Sequence, residues 1–366
     1  MKIKQPIYTT FLFSIISAFP GRSAADITSD HYDKDNEVFF SPGLIRGDKG
    51  QSKERPGLIE NVKIFWNLAF SNSENNPPNR LPTEYPQWKT FLRDDGTDRF
   101  IWFGHSTIMI HLNKQTVMID PVFGPASPFS WLFPRWQPTP ASREELPNIN
   151  TILISHNHFD HFEEETARFY SRKTTHYVVP LGLGKQLRDW GVPASHITEL
   201  DWYQKWESEG ISYTAVPAQH ISGRGLWDTN KTLWAGWVIN TAEKRYFYSG
   251  DTGYSDHFSK IRRRFGPFNL AFIENGQYDK KWPDDHMSPS QTVQAAVDLG
   301  INSFVPVHWG AYTMAFHKWN APVIESSAQA KQHNIREIIP IMGEVFTESL
   351  YEVHWWKSPS SVKEKK

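Results

Sequence analysis

The run "TILISHNHFDHF" at residues 151–162 constrains this chain more than any other stretch of its sequence. "TILIS" is typical of a buried strand, and His156, His158, Asp160 and His161 follow it directly. These side chains are therefore expected in the loop at the C-terminal end of that strand. An extended turn can aim one pair of them at one ion and the next pair at another, which a helix cannot do. The run predicts a site for two metal ions better than for one.

Three later strand-like runs end in compatible ligands: "ISYTAVPAQH" delivers His220, "RYFYSGD" delivers Asp251, and "SFVPVH" delivers His308. Open α/β sheets gather their functional loops at the carboxyl ends of strands. Since the chain has no cysteine, any metal must be held by His, Asp or Glu. Imidazole and carboxylate suit Zn²⁺, with iron or manganese at one position as an alternative, whereas Mg²⁺ and Ca²⁺ prefer all-oxygen sites.

The composition narrows the class of protein. With 366 residues, of which 39% are hydrophobic, the chain is long enough to bury a large core. The formal net charge is −1, so no global basic field exists to bind nucleic acid through its phosphates. The lack of cysteine also excludes disulfides and a cysteine nucleophile. A globular protein without a nucleic-acid partner is expected.

Changes in composition along the sequence divide the chain into four segments. Residues 1–25 combine a basic start, the apolar run "PIYTTFLFSIISAF" and the small residues "SAA", which predicts a signal peptide and export to the periplasm or the medium. An uncleaved membrane anchor is the alternative. Residues 26–97 predict an N-terminal extension outside the core, with an amphipathic helix in "PGLIENVKIFWNLAF". Residues 98–350 are expected to form the main domain and residues 351–366 a C-terminal tail, of which the final "SPSSVKEKK" is predicted to be disordered.

The main domain mixes strands and helices. Ten strand-like runs occur after residue 98, and helical patterns interleave with several of them. The clearest helix is predicted at residues 288–299, where Ser288 and Gln291 form a capping-box pattern, Pro289 follows the cap and Gly300 ends the helix. The strand count exceeds what a simple alternating βα wheel needs, so we expect an α/β fold with more than one sheet.

The motif HNHFDH, followed in order by His220, Asp251 and His308, resembles the binuclear metal site of the metallo-β-lactamase superfamily. The stretches "FGHSTIMI", "DPVFGPASP", "ELPNINTILISHNHFDHF", "PAQHISGR", "GDTGYSDHFSKIRRRFGPFNLAFI" and "VPVHWGAY" are similar to the group of phospholipases D that hydrolyse N-acylphosphatidylethanolamine. The similarity runs from about residue 99 to about residue 345 and leaves out the N-terminal extension.

The resemblance implies a four-layer αββα sandwich, two zinc ions per chain and a homodimer. It implies that one zinc is held by His156, His158 and His220, the other by Asp160, His161 and His308, and that Asp251 bridges the two. Asp160, Asp251 and His286 are the expected catalytic residues.

By the same resemblance, His286 lines the active site and binds phosphate or moves a proton to the leaving group. A surface histidine before a helix is the alternative. Mammalian members of the group have a glutamine before this histidine, and here Asp285 stands in its place. Its negative charge would disfavour an anionic phosphate, which puts an exact match of substrate in doubt.

The implied reaction is hydrolysis of N-acylphosphatidylethanolamine to an N-acylethanolamine and phosphatidic acid through a dizinc-bound hydroxide. No protein nucleophile is needed, which agrees with the absence of a Gly-x-Ser-x-Gly elbow. Two alternatives stay open. One is a metallo-β-lactamase-fold hydrolase that acts on a lactone, a β-lactam or a smaller phosphodiester, and the other is a metal-stabilised binding or envelope protein without activity.

Secondary residues can be assigned from position alone. Asp120, at the end of "QTVMID", is either a carboxylate that orients a ligating imidazole or a turn cap before Pro121. For His105 in "FGHST" a structural role is expected, with a position near the cleft as the alternative. An aromatic loop suits the approach of a phospholipid substrate and peripheral contact with a membrane, although such segments are also common in cores. Its candidate residues are Phe129, Trp131, Leu132, Phe133 and Trp136.

Overall fold

The computed structural model describes residues 27–41, 63, 66–68, 75–225, 227–350 and 354–357. The predicted signal peptide and most of the predicted helix at residues 58–70 lie outside these residues. Of that helix, Lys63 and Trp66–Leu68 are helical, with Leu68 buried and Trp66 exposed. No described helix is both long enough and apolar enough to span a membrane.

Two seven-stranded sheets dominate the described residues. In spatial order the first is β16 (Val345–Phe346), β3 (Arg99–Trp102), β4 (Ile108–Leu112), β5 (Gln115–Ile119), β6 (Thr151–Leu153), β7 (His176–Pro180) and β8 (Ile197–Leu200). The second is β15 (Arg336–Glu337), β14 (Ser303–Val307), β13 (Leu270–Glu274), β12 (Arg245–Tyr248), β11 (Gly236–Asn240), β10 (Ile211–Val216) and β9 (Lys205–Ser208). A two-stranded sheet of β1 (Tyr32–Asp33) and β2 (Val38–Phe39) precedes them.

Each large sheet has an antiparallel half and a parallel half. Strands β5 to β8 pair in parallel in the first sheet, and β12 to β15 do so in the second. The carboxyl ends of parallel neighbours meet at one edge of a sheet, and that edge is where the predicted ligands follow their strands.

The described α-helices are α1 (Trp88–Phe91), α2 (Glu164–Tyr170), α3 (Gly184–Asp189), α4 (His257–Phe265), α5 (Pro289–Leu299) and α6 (Ala321–Gln332). Helix α5 has the predicted ends. Oε1 of Gln291 accepts a hydrogen bond from the amide of Ser288 over 2.9 Å, and Gly300 adopts the left-handed conformation with φ +64°.

The alternation of side chains along the strands produces four layers. In β3, Phe100 and Trp102 join the main apolar cluster between the sheets, while Ile101 faces outward into a second cluster with α2 and α3. The outer face of the other sheet packs on α4, α5 and α6 in a third cluster. Helices therefore cover both outer faces of two packed sheets, the αββα sandwich expected from the resemblance.

Two segments that were predicted to lie outside the core contribute residues to it. Residues of the N-terminal extension belong to the core, since Tyr32, Phe39 and Leu81 pack in the main cluster. The chain beyond residue 350 contributes as well, because Trp355 and Trp356 are buried there. Their sequence surroundings are polar, so neither segment has the regular apolar period that indicates a core element.

Candidate metal centre

The predicted ligands converge at the carboxyl-end edge of the two sheets. The loop after β6 carries His156 to His161, the loops after β10 and β12 carry His220 and Asp251, and His308 follows β14 directly. The two sheets are joined at this edge, where the amide of His308 donates to the carbonyl oxygen of His105 over 3.0 Å.

A first group consists of His156, His158 and His220, all buried, with donor atoms within 4.8 Å of one another. Nε2 of His156 lies 2.8 Å from Nδ1 of His158, and Nε2 of His220 lies 3.3 Å from the same Nδ1. Three imidazoles at this spacing can share one cation.

A second group gathers around Oδ2 of Asp160. Nε2 of His105, His161 and His308 lies 2.8, 3.3 and 3.4 Å from that oxygen, respectively. All four side chains are buried, and their donor atoms also lie within 4.8 Å of one another. The structure places His105 against Asp160, and the turn "GHST" brings its ring next to His308 at a centroid distance of 4.3 Å. A structural role for His105 stays a prediction.

Asp251 lies between the two groups. Its Oδ2 is 3.0 Å from Nε2 of His161 and 3.1 Å from Nε2 of His308, and 3.8 Å from Nε2 of both His156 and His220. One carboxylate oxygen thus contacts imidazoles of both groups, the position required of a ligand shared by two ions.

The five predicted histidine ligands fall into two sets, one with lowered and one with raised pKa values. Burial lowers the pKa of His158 to about 4 and holds the pKa of His156 and His220 well below the usual value. Burial opposes protonation of His161 and His308 too, but the neighbouring carboxylates outweigh it and raise the pKa of both well above that value. The first group is therefore neutral, as metal-ligating imidazoles must be.

Burial also favours the protonated form of the two carboxyl groups, but the surrounding histidines outweigh it. They hold the pKa of Asp160 and Asp251 well below the usual range, so both are ionised. Oδ1 of each is buried without a hydrogen-bond partner, which is costly unless a cation occupies the space beside it. The neutral imidazoles of the first group, the two ionised carboxylates and their unsatisfied buried oxygens together fit a metal centre.

Asp120 lies where a carboxylate can orient a ligating imidazole. It is completely buried, and its Oδ2 accepts hydrogen bonds from Nδ1 of His161 over 2.8 Å and from the hydroxyl of Tyr248 over 2.6 Å. Its φ of +43°, like that of His308 at +68°, is unusual for a residue with a side chain. Such strain persists where surrounding contacts hold a functional side chain in place.

His286 also reaches the centre, and it does so with a partner that sequence reasoning missed. Nδ1 of His286 donates a hydrogen bond to Oε1 of Glu274, which is completely buried at the end of β13. Burial lowers the pKa of His286, but Glu274 outweighs that effect and raises it. The carboxylate that ends the apolar run "LAFIE" was the available signal, the same pattern that identified Asp120 and Asp251.

The aromatic loop is mostly internal. Leu132 and Phe133 are buried in a fourth apolar cluster, and Trp136 packs against the main core. Trp131 is 62% exposed, and the half-buried Phe129 stacks on it at 5.7 Å. The prediction that all five face a lipid is therefore wrong for Leu132 and Phe133, whose side chains fill the space under the loop, whereas Trp136 is half-buried like Phe129.

Comparison with known proteins identifies the family. Residues 115–309 match the family model described as a beta-lactamase superfamily domain. An uncharacterized protein of Mycobacterium tuberculosis is 36% identical over 303 residues, 80% of each chain. The N-acyl-phosphatidylethanolamine-hydrolyzing phospholipase D 1 of Caenorhabditis elegans is 31% identical over 301 residues, 77% of this chain and 83% of that one.

Among solved structures, a metallo hydrolase from the archaeon Ignicoccus hospitalis superposes with a TM-score of 0.54 at 18% identity, over 70% of this chain and 99% of that one. At that identity the likeness concerns the fold alone. Together with the match over residues 115–309, it shows that this chain belongs to the beta-lactamase superfamily and has the metallo-β-lactamase fold.

Proposed function

We propose that the protein is a zinc-dependent phosphodiesterase of phospholipase D type that converts N-acylphosphatidylethanolamine into an N-acylethanolamine and phosphatidic acid. The observation that carries the proposal is Oδ2 of Asp251, which lies 3.0–3.8 Å from imidazoles of both donor groups. That position suits two adjacent ions, the arrangement used by many phosphodiester-cleaving enzymes. The name of the Caenorhabditis elegans relative supplies the substrate.

In this proposal one zinc is held by His156, His158 and His220, the other by Asp160, His161 and His308, with Asp251 shared. Two zinc ions would make hydroxide available near neutral pH and offset the negative charge of the phosphoryl oxygens. Asp120 holds the ring of His161 in place, and the backbone carbonyl oxygen of Asp285 lies 3.1 Å from Nδ1 of His220 and can hold that ring.

Contact with a membrane is part of the proposal. Trp131 and Trp227 are 62% and 88% exposed, on the loops that follow β5 and β10. Both loops contact the stretch of chain that carries His156 to Glu163, since the amide of Gly124 donates to Glu163 and the amide of Gly223 donates to Asn157. Exposed indole rings on loops that touch the metal-ligand stretch suit an approach to lipid. Export through the segment at residues 1–25 remains a proposal from sequence alone.

A lactone is the second candidate substrate. Asp285 is buried directly beside His286, and a negative charge there disfavours an anionic phosphate more than a neutral lactone. Either substrate would use the same metal ligands, so only measured products separate the two.

The test is to purify the protein, measure its zinc content, and follow products by mass spectrometry from N-acylphosphatidylethanolamine, phosphatidylcholine, a lactone and a cephalosporin. We expect two zinc ions per chain and release of N-acylethanolamine, abolished in Asp251→Asn and His158→Ala. His176→Gln is the matched control, because His176 lies at the opposite end of β7 from the metal centre. Ring opening of the lactone with both phospholipids untouched would favour the second candidate. Release that survives Asp251→Asn would rule out the mechanism.

A further inference from the structure

Glu274 connects three parts of the centre. It ends β13, the strand between β12, which leads to Asp251, and β14, which leads to His308. Its side chain is completely buried. Oε2 accepts a hydrogen bond from the amide of Thr252 over 2.6 Å, and Oε1 accepts one from Nδ1 of His286. Burying a carboxylate costs free energy unless such hydrogen bonds satisfy its oxygens. A functional role would explain why a carboxylate is buried here.

The contact with Glu274 decides which nitrogen of His286 faces the cleft. His286 packs between two predicted ligands, with ring centroids 5.2 Å from His220 and 4.9 Å from His308. A donor atom of His286 lies within 4.8 Å of donor atoms of His220 and Asp251. Because Nδ1 is bound to Glu274, Nε2 is the nitrogen left to act on a substrate.

We propose that Glu274 is a positioning residue that holds the Nδ1 side of His286, so that Nε2 delivers a proton to the leaving oxygen. The inference rests on the proposed phosphodiester hydrolysis. In that reaction the oxygen of water bonds to phosphorus, and the bond between phosphorus and the ethanolamine oxygen breaks. That oxygen takes the proton from Nε2 and leaves as the alcohol of the N-acylethanolamine. One proton of the water replaces the proton that His286 has given up, and the other passes to solvent.

Glu274 could instead orient His308 as a metal ligand, and that role predicts a different effect of its substitution. Oε1 also lies 3.5 Å from Nδ1 of His308, which is 3.4 Å from the carbonyl oxygen of Gly276. If Glu274 served only to orient His308 as a metal ligand, its loss would weaken zinc binding, as the loss of orienting partners does elsewhere. If it positions His286, zinc binding is retained and proton transfer is lost. Zinc affinity and proton transfer, measured separately, therefore distinguish the two roles.

The kinetic test compares two substrates that differ only in leaving group. One is N-acylphosphatidylethanolamine, whose alkoxide needs a proton, and the other is the p-nitrophenyl ester of the same phosphatidic acid, whose phenolate does not. In Glu274→Gln we expect kcat on the first to fall about a hundredfold, and kcat on the second to change less than about threefold. Zinc affinity, measured with zinc alone against a chromophoric chelator, should equal that of the wild type. An equal loss on both substrates would overturn the inference, as would a weakened zinc affinity.

A control at Glu337 and a substitution of His286 test whether the effect of Glu274→Gln acts through His286. Glu337→Gln is the matched control, since Glu337 is also a buried carboxylate at a strand end but binds Ser326 and Ser327 away from the metal centre. His286→Ala should show the same substrate selectivity as Glu274→Gln, and the double variant should lose nothing more. Additive losses in the double variant would contradict the inference. If Glu274→Gln does not fold, equal losses on both substrates in His286→Ala would overturn it.

Nuclear magnetic resonance tests the contact between Glu274 and His286 without a measurement of activity. In the zinc-loaded protein with ¹⁵N-labelled histidine, the Nδ1 proton of His286 should give a far-downfield resonance that disappears in both Glu274→Gln and His286→Ala. A resonance that persists in Glu274→Gln would overturn the inference. If the wild type hydrolyses neither phosphodiester, the proposed function fails, while this resonance still decides whether Glu274 holds His286.

Discussion

Nδ1 of His161 donates a hydrogen bond to Oδ2 of Asp120 over 2.8 Å, and both side chains are completely buried. The bond leaves Nε2 of His161 facing Asp160 and Asp251, at 3.3 and 3.0 Å from their Oδ2 atoms. Asp120 therefore fixes which nitrogen of His161 is offered to a metal. The ring orientation of this ligand depends on a residue from the neighbouring strand, β5.

Asp120→Asn should weaken the affinity for zinc by roughly ten- to a hundredfold, because the amide is a poorer acceptor and no longer favours the required tautomer. Competition with a chromophoric chelator measures the effect. Asp98→Asn is the matched control, because Asp98 also binds a tyrosine hydroxyl, that of Tyr246, but at the start of β12. Equal zinc affinity in the two variants would show that Asp120 does not orient the ligand.

Sequence patterns predicted much of the fold and the place of the site. Each predicted ligand follows an apolar run whose period identifies it as a strand, and strand ends locate the loops. The end of "LAFIE" marks Glu274 as a candidate, but its pairing with His286 could not be predicted, because it depends on β13 lying between β12 and β14, a non-local pairing that the run does not encode. Tyr32 and Trp355 were missed for a similar reason. Their burial is determined by distant partners and not by a local period.

The burial of Trp355 predicts a large contribution to stability from the end of the chain. Its ring is 1% exposed, stacks on Trp309 at 5.6 Å, and donates from Nε1 to the carbonyl oxygen of Ile339 over 3.2 Å. Trp355→Ala should lower the free energy of unfolding by about 3–5 kcal/mol, measured by urea denaturation. The exposed Trp227→Ala should change it by less than about 0.5 kcal/mol. A loss below about 1 kcal/mol in Trp355→Ala would place this segment outside the core.

Loss of the exposed tryptophans should weaken membrane binding and leave hydrolysis of a soluble substrate unchanged. Removing Trp131 and Trp227 together should weaken binding to phosphatidylcholine vesicles by about tenfold, or about 1.4 kcal/mol, as apolar burial in the interface is lost. Hydrolysis of a short-chain phosphodiester below its micellar concentration should be unchanged, because neither ring belongs to the donor groups. Tyr85→Ala is the control, since Tyr85 is 52% exposed on the segment beside α1. Equal vesicle binding by the double variant and the wild type would contradict the proposed contact.

His257 predicts a specific loss of stability in acid. It begins α4, its Nδ1 lies 2.6 Å from the hydroxyl of Ser255, and burial lowers its pKa to about 3. The unfolded chain, with the ordinary pKa of 6.5, binds a proton in the range between these values that the folded protein does not. The contribution of His257 is therefore fully present above pH 6.5 and is lost as the pH falls toward 3, by about 1.4 kcal/mol per pH unit.

In His257→Gln this proton uptake is absent, so the free energy of unfolding of the variant should fall less steeply in acid than that of the wild type. Urea denaturation of metal-free protein between about pH 7.5 and 5 measures both slopes, and their difference should approach about 1.4 kcal/mol per pH unit below pH 6. Using the metal-free form in both cases removes the pH dependence of metal binding. His333→Gln, at an exposed position after α6, should run parallel to the wild type. If His257→Gln also runs parallel, His257 is protonated in the folded protein and its burial does not contribute to acid sensitivity.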